Sequence, residues 1–337
     1  MPFLTTGMTG ANNCPSESSF SAKAADLPTT LPLLLLMGTW LFALGAVVGS
    51  FLNVCIYRIP WQKSVIWPAS HCPKCWSAIA ARDNVPIFGW LALGGRCRSC
   101  RCSISIRYPL IEALVGILFV AIFVGDVVQG RRVWQGELPS WLFATWLYHA
   151  ILIALLVAST FIDYDLYIIP DAITVTGMIV GVVLGTAFPW IRPEPSTTLT
   201  AWGGFWTGVA GLLIGGGLTW SVRFLGSLAV GREAMGFGDV TLMAMIGAFL
   251  GWQAAVLTFF IGPFFGLAHA LWKLVKYVVK RLSGAKSSSA DREIPFGPYL
   301  SMAAVALVLS WPWLWDGWAK DLFHTLLVLF LCLTMGM

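Results

Sequence analysis

Long runs without a single charged side chain constrain this chain more than any other feature. Eight stretches lack Asp, Glu, Lys and Arg altogether: 27–57, 113–125, 138–162, 172–191, 195–222, 240–272, 294–315 and 322–337. A helix needs about 20 apolar residues to cross the hydrocarbon of a bilayer. Most of the stretches reach that length, and 113–125 does so if residues before Glu112 are added. Only 11% of the residues are charged, against about 25% in soluble domains. So few charges cannot cover a water-facing surface, whereas a lipid-facing surface needs none. The 18 tryptophans fit the same class, because indole rings favour the membrane–water interface.

The basic residues orient the spans. Eight of the 21 Lys and Arg lie between Arg58 and Arg107, and six lie between Lys273 and Arg292. Cytoplasmic loops carry the excess of Lys and Arg, so both clusters are expected inside, with Arg223 and Arg232. The alternation works only if 240–272 crosses twice, with a break near Gly251-Trp252-Gln253. About eight membrane helices are therefore expected, with a short ninth segment at the C-terminus. The expected fold is an all-α integral membrane protein with a cytoplasmic loop between the first two helices. The N-terminus is expected outside, and its first 26 residues, polar and rich in Ser, Thr and Ala, are expected to be disordered. No cleavable signal peptide is expected, because the basic n-region is missing and the first apolar run is too long. The net charge of +5 belongs to the cytoplasmic loops, and no basic helix points to nucleic acid. Residues 284–291 (GAKSSSAD) read as a short flexible loop.

Four of the eight cysteines fall in the first loop as Cys72-x-x-Cys75 and Cys97-x-x-Cys100. Each CxxC turn aims two thiolates at one point, and two such turns supply a tetrahedral zinc site. The basic neighbours in HCPKC and RCRSC favour the thiolate form. Four thiolates leave no open position, so such a zinc would staple the loop rather than catalyse. Cys102 could replace Cys100, with poorer spacing. Cys14, Cys55 and Cys332 are expected to be unpaired.

Acids are scarce, so their positions carry information. A carboxylate inside a span costs about 2.5–3.5 kcal/mol or more and usually marks function. Asp163 follows the stretch 138–162 directly, in FIDYDLYIIPD, and Asp239 opens the stretch 240–272, in MGFGDVTLM. Both fall at the cytoplasmic boundary, so they can meet. Two carboxylates sharing a proton form an acid/base pair, one activating water and the other polarising a carbonyl. Gly236 and Gly238 remove bulk before Asp239 and would let an extended substrate backbone approach. Aspartates at helix ends also act as N-caps; Asp171, after Pro170, reads as one, and Asp239 could be another. Asp165 rivals Asp163, and spacing alone does not separate them.

Together these motifs resemble the type IV prepilin peptidases, membrane aspartic proteases of the GxGD type. The resemblance runs from about Gly45 to Leu300 and rests on seven elements in order. They are GSFLNVCIYRIP at 49–60, the paired CxxC, NVPIFGWLALGGRCRSC at 84–100, SIRYPLIEAL at 105–114, IDYDLYIIPD at 162–171, GFGD at 236–239 and IPFGPYL at 294–300. It implies cleavage of the basic leader of type IV prepilins or type II secretion pseudopilins at the cytoplasmic face of the bacterial inner membrane. It also implies N-methylation of the new terminus with S-adenosylmethionine in many members. By the same resemblance Asp163 and Asp239 are the catalytic pair, and Glu112 stands where the family carries an acid. Glu112 could bind the methyl donor or the substrate amine, or pair with Arg107 or Arg58. No glycine-rich nucleotide loop of the usual type is present.

The expected organisation is a polar tail over 1–30, a first span over 31–57, a zinc loop over 58–107, a peptidase core over 108–315 and an added apolar segment over 316–337. The chain could act alone or as a homodimer. An ion or proton transporter is the rival from another class, but no acid lies mid-bilayer to continue a path. A non-catalytic pilus or secretion assembly factor is a second rival, against which both aspartates are intact.

Overall fold

The computed structural model describes residues 27–133, 142–193, 200–231, 233, 235–282 and 295–335. The tail before residue 27, Cys14, Arg232 and the loop 284–291 lie outside the described residues. Those described form ten α-helices and no strand. They are α1 (Leu27–Arg58), α2 (Phe88–Ala92), α3 (Arg107–Val133), α4 (Leu142–Leu166), α5 (Asp171–Ala187), α6 (Ala201–Val230), α7 (Phe237–Leu250), α8 (Trp252–Leu282), α9 (Gly297–Leu314) and α10 (Lys320–Met335).

Six described segments are long and apolar enough to cross a membrane: Leu35–Trp61, Arg107–Asp126, Leu142–Leu166, Ala201–Val230, Trp252–Lys276 and Gly297–Leu326. Two shorter apolar helices, α5 and α7, accompany them. The short stretch after Glu112 gains its length as anticipated, from residues starting at Arg107. The long window 240–272 is indeed two helices. Gly251, at φ 88°, ends α7 in a conformation that a side chain would disfavour, and α8 starts at the next residue.

The C-terminal apolar segment continues α9 through a π-helical turn at Trp315–Ala319 into α10. Aromatic packing holds this continuation, with Trp315 stacked on Trp311 at 5.1 Å and Phe323 against Trp252 at 5.4 Å. Asp171 differs from expectation. Pro170 takes the N-cap of α5 without a side-chain bond, and Asp171 is the first helical residue, where its charge complements the positive helix end.

The core centres on α4 and α7. In α7 every residue from Asp239 to Leu250 is buried. Its neighbour α6 reaches it through glycines: a Cβ on Gly211 would strike the Gly247 carbonyl, and one on Gly247 would strike that of Gly211. Association without a hydrophobic gain from water relies on such close backbone approach. At one end of α5 the buried Arg192 donates to the carbonyls of Gly181, Gly185, Gly204 and Ala248, tying α5, α6 and α7 together.

Candidate active site

The connection from α4 to α5 places the first acid. Tyr167 turns left-handed at φ 56° and its N–H closes the last turn of α4 on the Asp163 carbonyl at 2.9 Å. Pro170, which lacks an N–H, then takes the N-cap position just before α5. Asp163 is thereby fixed in the last turn of α4, only 6% exposed. Asp165 lies two residues on, about 200° around the helix at 3.6 residues per turn, and faces the other way. Arg107, at the start of α3, grips it with a two-pronged ion pair of 2.8 and 2.7 Å.

The second acid is placed by the start of α7. Gly236 is its N-cap, and Asp239, at the third helical position, has the Gly236 N–H directed at its carboxyl. Asp239 thus stands at the position from which a capping side chain reaches back to the N-cap, so the cap role weighed for it is compatible with its position at the site. Asp239 is 8% exposed and lies within the field of Asp163. The two acids, carried by separate helices, thus lie at the same end of the bundle, with Gly238 beside Asp239 and Gly297 beside Asp163 both packed against Ile169.

Glycine lets the helices close around them. A Cβ on Gly238 would come within 2.9 Å of the Ile169 Cβ in the α4–α5 connection, so a side chain there would push α7 off that segment. Gly236 has ordinary space around it, with 3.6 Å from its Cβ position to the Asp239 Oδ2. The sequence reading missed a third glycine. Gly297, first residue of α9, directs its N–H at Asp163, and a Cβ there would lie 2.6 Å from the Asp163 Oδ2 and 2.9 Å from the Ile169 Cδ1. Its presence in IPFGPYL was the one available signal. Two residues on, the buried Tyr299 hydroxyl hydrogen-bonds His269 of α8, anchoring this end of α9. The Asp163 Oδ2 atom itself is buried and has no hydrogen-bond partner among the described residues.

Glu112, buried in α3, pairs with neither Arg58 nor Arg107. Its carboxylate accepts the Ile87 N–H at 2.7 Å, pinning the turn before α2, where Ile87 holds φ 62°. Arg58 donates instead to the Ser64 and Pro68 carbonyls at 3.0 and 2.7 Å. The loop between α1 and α3 has its own clasp: Arg98 forks onto Asp83 and holds that carboxyl below its usual range.

The loop cysteines converge. The thiols of Cys72, Cys97, Cys100 and Cys102 all lie within 4.8 Å of one another. Cys75 stands 3.9 Å from Cys97 and 3.0 Å from the Ser77 hydroxyl. The most compact quartet thus differs from the expected one by Cys102 in place of Cys75. The N–H groups of Cys75 and Lys74 bring the Cys72 thiol down to about 6, and those of Cys100 and Ser99 lower Cys97. Cys100 receives the Cys102 N–H but is pushed up to about 12 by the Cys102 thiol, by desolvation and by the thiols of Cys75 and Cys97. So many thiolates cannot stay ionised side by side without a cation among them, and this donor set fits zinc.

Fold and site together define an all-helical, multi-pass membrane protein with a buried carboxylate pair at one end and a cysteine-rich loop. Residues 150–271 match the type IV leader peptidase family, and residues 43–125 match the bacterial peptidase A24 N-terminal domain. The chain belongs to the type IV leader peptidase family, as its motifs implied. It is 34% identical to the prepilin leader peptidase/N-methyltransferase of Myxococcus xanthus (strain DK1622), over 83% of this chain and 92% of that protein. A protein of the same name from Pseudomonas putida is 33% identical over 79% and 88%. The type 4 prepilin-like proteins leader peptide-processing enzyme of Escherichia coli O78:H11 is 31% identical over 83% and 94%. No solved structure matches the chain significantly.

Proposed function

We propose that this chain is a membrane aspartic endopeptidase that removes the leader from type IV prepilins or type II secretion pseudopilins and then N-methylates the new terminus. The observation that carries the peptidase reading is the convergence of Asp163 and Asp239, two buried carboxyls from separate helices at one end of the bundle. In this reading one carboxylate takes a proton from water, which attacks the scissile carbonyl. The other, protonated, donates to the carbonyl oxygen and then helps the proton reach the leaving amine. Asp165 is held away by Arg107 and serves position rather than chemistry.

The concentration of Lys and Arg in the loops supports eight spans, with the acids and the cysteine loop at the cytoplasmic face of the bacterial inner membrane. The substrate's apolar helix would stay in the bilayer while its leader reaches Asp163 and Asp239 beside Gly236 and Gly238. The loop cysteines would hold a structural zinc, expected through Cys72, Cys97 and Cys100 with a fourth thiolate. S-adenosylmethionine, when bound, supplies a methyl group activated by a sulfonium. Glu112 suits that cation, or the substrate amine, by charge and burial, while its contact with Ile87 couples it to the zinc loop.

Cleavage of a co-expressed prepilin by wild type, Asp163→Asn, Asp239→Asn and Asp165→Asn tests the reading, with membrane levels matched. The first two substitutions should each abolish cleavage and Asp165→Asn should keep it. Cleavage that survives Asp163→Asn or Asp239→Asn would refute the pair.

A further inference from the structure

The two cysteine knuckles are structural copies, and the copy relation singles out a fifth thiol. In the first knuckle the Cys72 N–H donates to the Ser77 carbonyl at 3.0 Å, and the Trp76 N–H to the Cys72 carbonyl at 2.9 Å. In the second, the Cys97 N–H donates to the Cys102 carbonyl at 2.8 Å, and the Arg101 N–H to the Cys97 carbonyl at 3.1 Å. Trp76 and Arg101 share the same left-handed φ of 59°. Each knuckle is closed by one antiparallel bridge, His71 to Ala78 and Arg96 to Ser103. Cys102 is therefore the counterpart of Ser77, five residues after the first cysteine of its knuckle.

The two counterparts differ in what they can do. Ser77 offers a hydroxyl, which lies against Cys75. Cys102 offers a soft thiol, and that thiol lies 3.5 Å from Cys72. Zinc bound at about 2.3 Å to four tetrahedral sulfurs sets them about 3.8 Å apart. The separations bracket that value: 3.5 Å for Cys72–Cys102, 3.8 Å for Cys72–Cys100 and 3.9 Å for Cys75–Cys97. Four thiols thus cluster within reach of one ion, and Cys75 stands beside them at ligand spacing from Cys97.

We propose that Cys102 is a reserve zinc ligand: Cys72, Cys97 and Cys100 hold the ion throughout, and Cys75 and Cys102 exchange for the fourth position. The inference rests on the zinc reading of the loop. Its consequence is a site that keeps four thiolates when either exchanging cysteine is withdrawn. The thiol left over is Cys75, which is exposed and rests on Ser77, or Cys102, which is half-buried.

The test is metal binding by the purified full-length chain in detergent. Zinc content and chelator competition are measured for wild type, Cys75→Ser, Cys102→Ser, the double variant and Cys72→Ser. Cobalt substitution then reports the number of thiolates through the thiolate-to-metal charge-transfer band. Each single variant at the exchanging positions should keep one metal ion and an undiminished band, with affinity reduced no more than about tenfold. The double variant should lose affinity about 100-fold or more and show a weaker band, as Cys72→Ser does. Three results overturn the exchange. If Cys75→Ser alone matches Cys72→Ser, Cys102 is no ligand. If Cys102→Ser alone does so, it is a fixed ligand and not a reserve. A double variant that binds like wild type excludes both. A wild type without zinc removes the underlying reading as well, and the metal content of that one sample distinguishes this failure from the others.

Discussion

Gly297→Ala should disable the site while leaving the fold standing. A Cβ at this position would lie 2.6 Å from the Asp163 Oδ2 and 2.9 Å from the Ile169 Cδ1. Real Cβ contacts start at 3.0 Å and are comfortable from 3.4 Å, so the carboxyl oxygen or the start of α9 must move by 0.4–0.8 Å. Relief is not cheap, because Asp163 is buried in the last turn of α4 and Pro298 and Tyr299 pin α9. Overpacking of this kind costs about 1–3 kcal/mol of stability. Misplacing a catalytic group by about 1 Å can cost about 100-fold in rate, so a 10- to 100-fold fall in kcat is expected with KM little changed. The assay is prepilin cleavage in proteoliposomes, with thermal unfolding measured in parallel. Gly217→Ala is the control: a Cβ there meets nothing within 4 Å, and removing a helix-interior glycine should stabilise by about 0.5–1 kcal/mol without changing kcat. If Gly297→Ala cleaves at the wild-type rate, the close approach of α9 to Asp163 does not shape the site.

Further outcomes follow from other contacts. Arg192→Met should lower the thermal midpoint in detergent, because four carbonyl bonds to a buried cation disappear, a loss of about 2–4 kcal/mol; an unchanged midpoint would show that the carbonyls need no such partner. Stripping zinc with a chelator should expose the loop between Arg58 and Arg107 to protease while the unfolding of the helical core barely shifts, since the metal staples only the loop. Arg107→Glu should cost about 1 kcal/mol or less, as expected of a partly exposed ion pair, and adding Asp165→Lys should recover it; no recovery would mean that Arg107 acts through its contact with the Phe161 ring.

Read alone, the sequence determined what solvates each segment. Scarcity of charge marked the membrane spans, and Gly251 marked the break between α7 and α8, because both are local properties of composition and backbone freedom. The paired CxxC turns marked the cysteine loop for the same reason, since each turn is built by a few adjacent residues. The tertiary structure decided between neighbours that look alike along the chain. Asp163 and Asp165 are two residues apart in sequence, and only the packing of α3 against α4 turns one inward and hands the other to Arg107. Glu112 had four candidate partners by charge, yet it took a backbone N–H at Ile87 that no charge pattern could reveal. Cys102 was only a poorly spaced alternative to Cys100, and Gly297 only one letter of IPFGPYL, until the second knuckle folded onto the first and α9 closed on Asp163. Such roles depend on distances between segments far apart in the chain. Those distances are set by how closely helices and turns can approach, a property of the packed molecule that no stretch of sequence carries by itself.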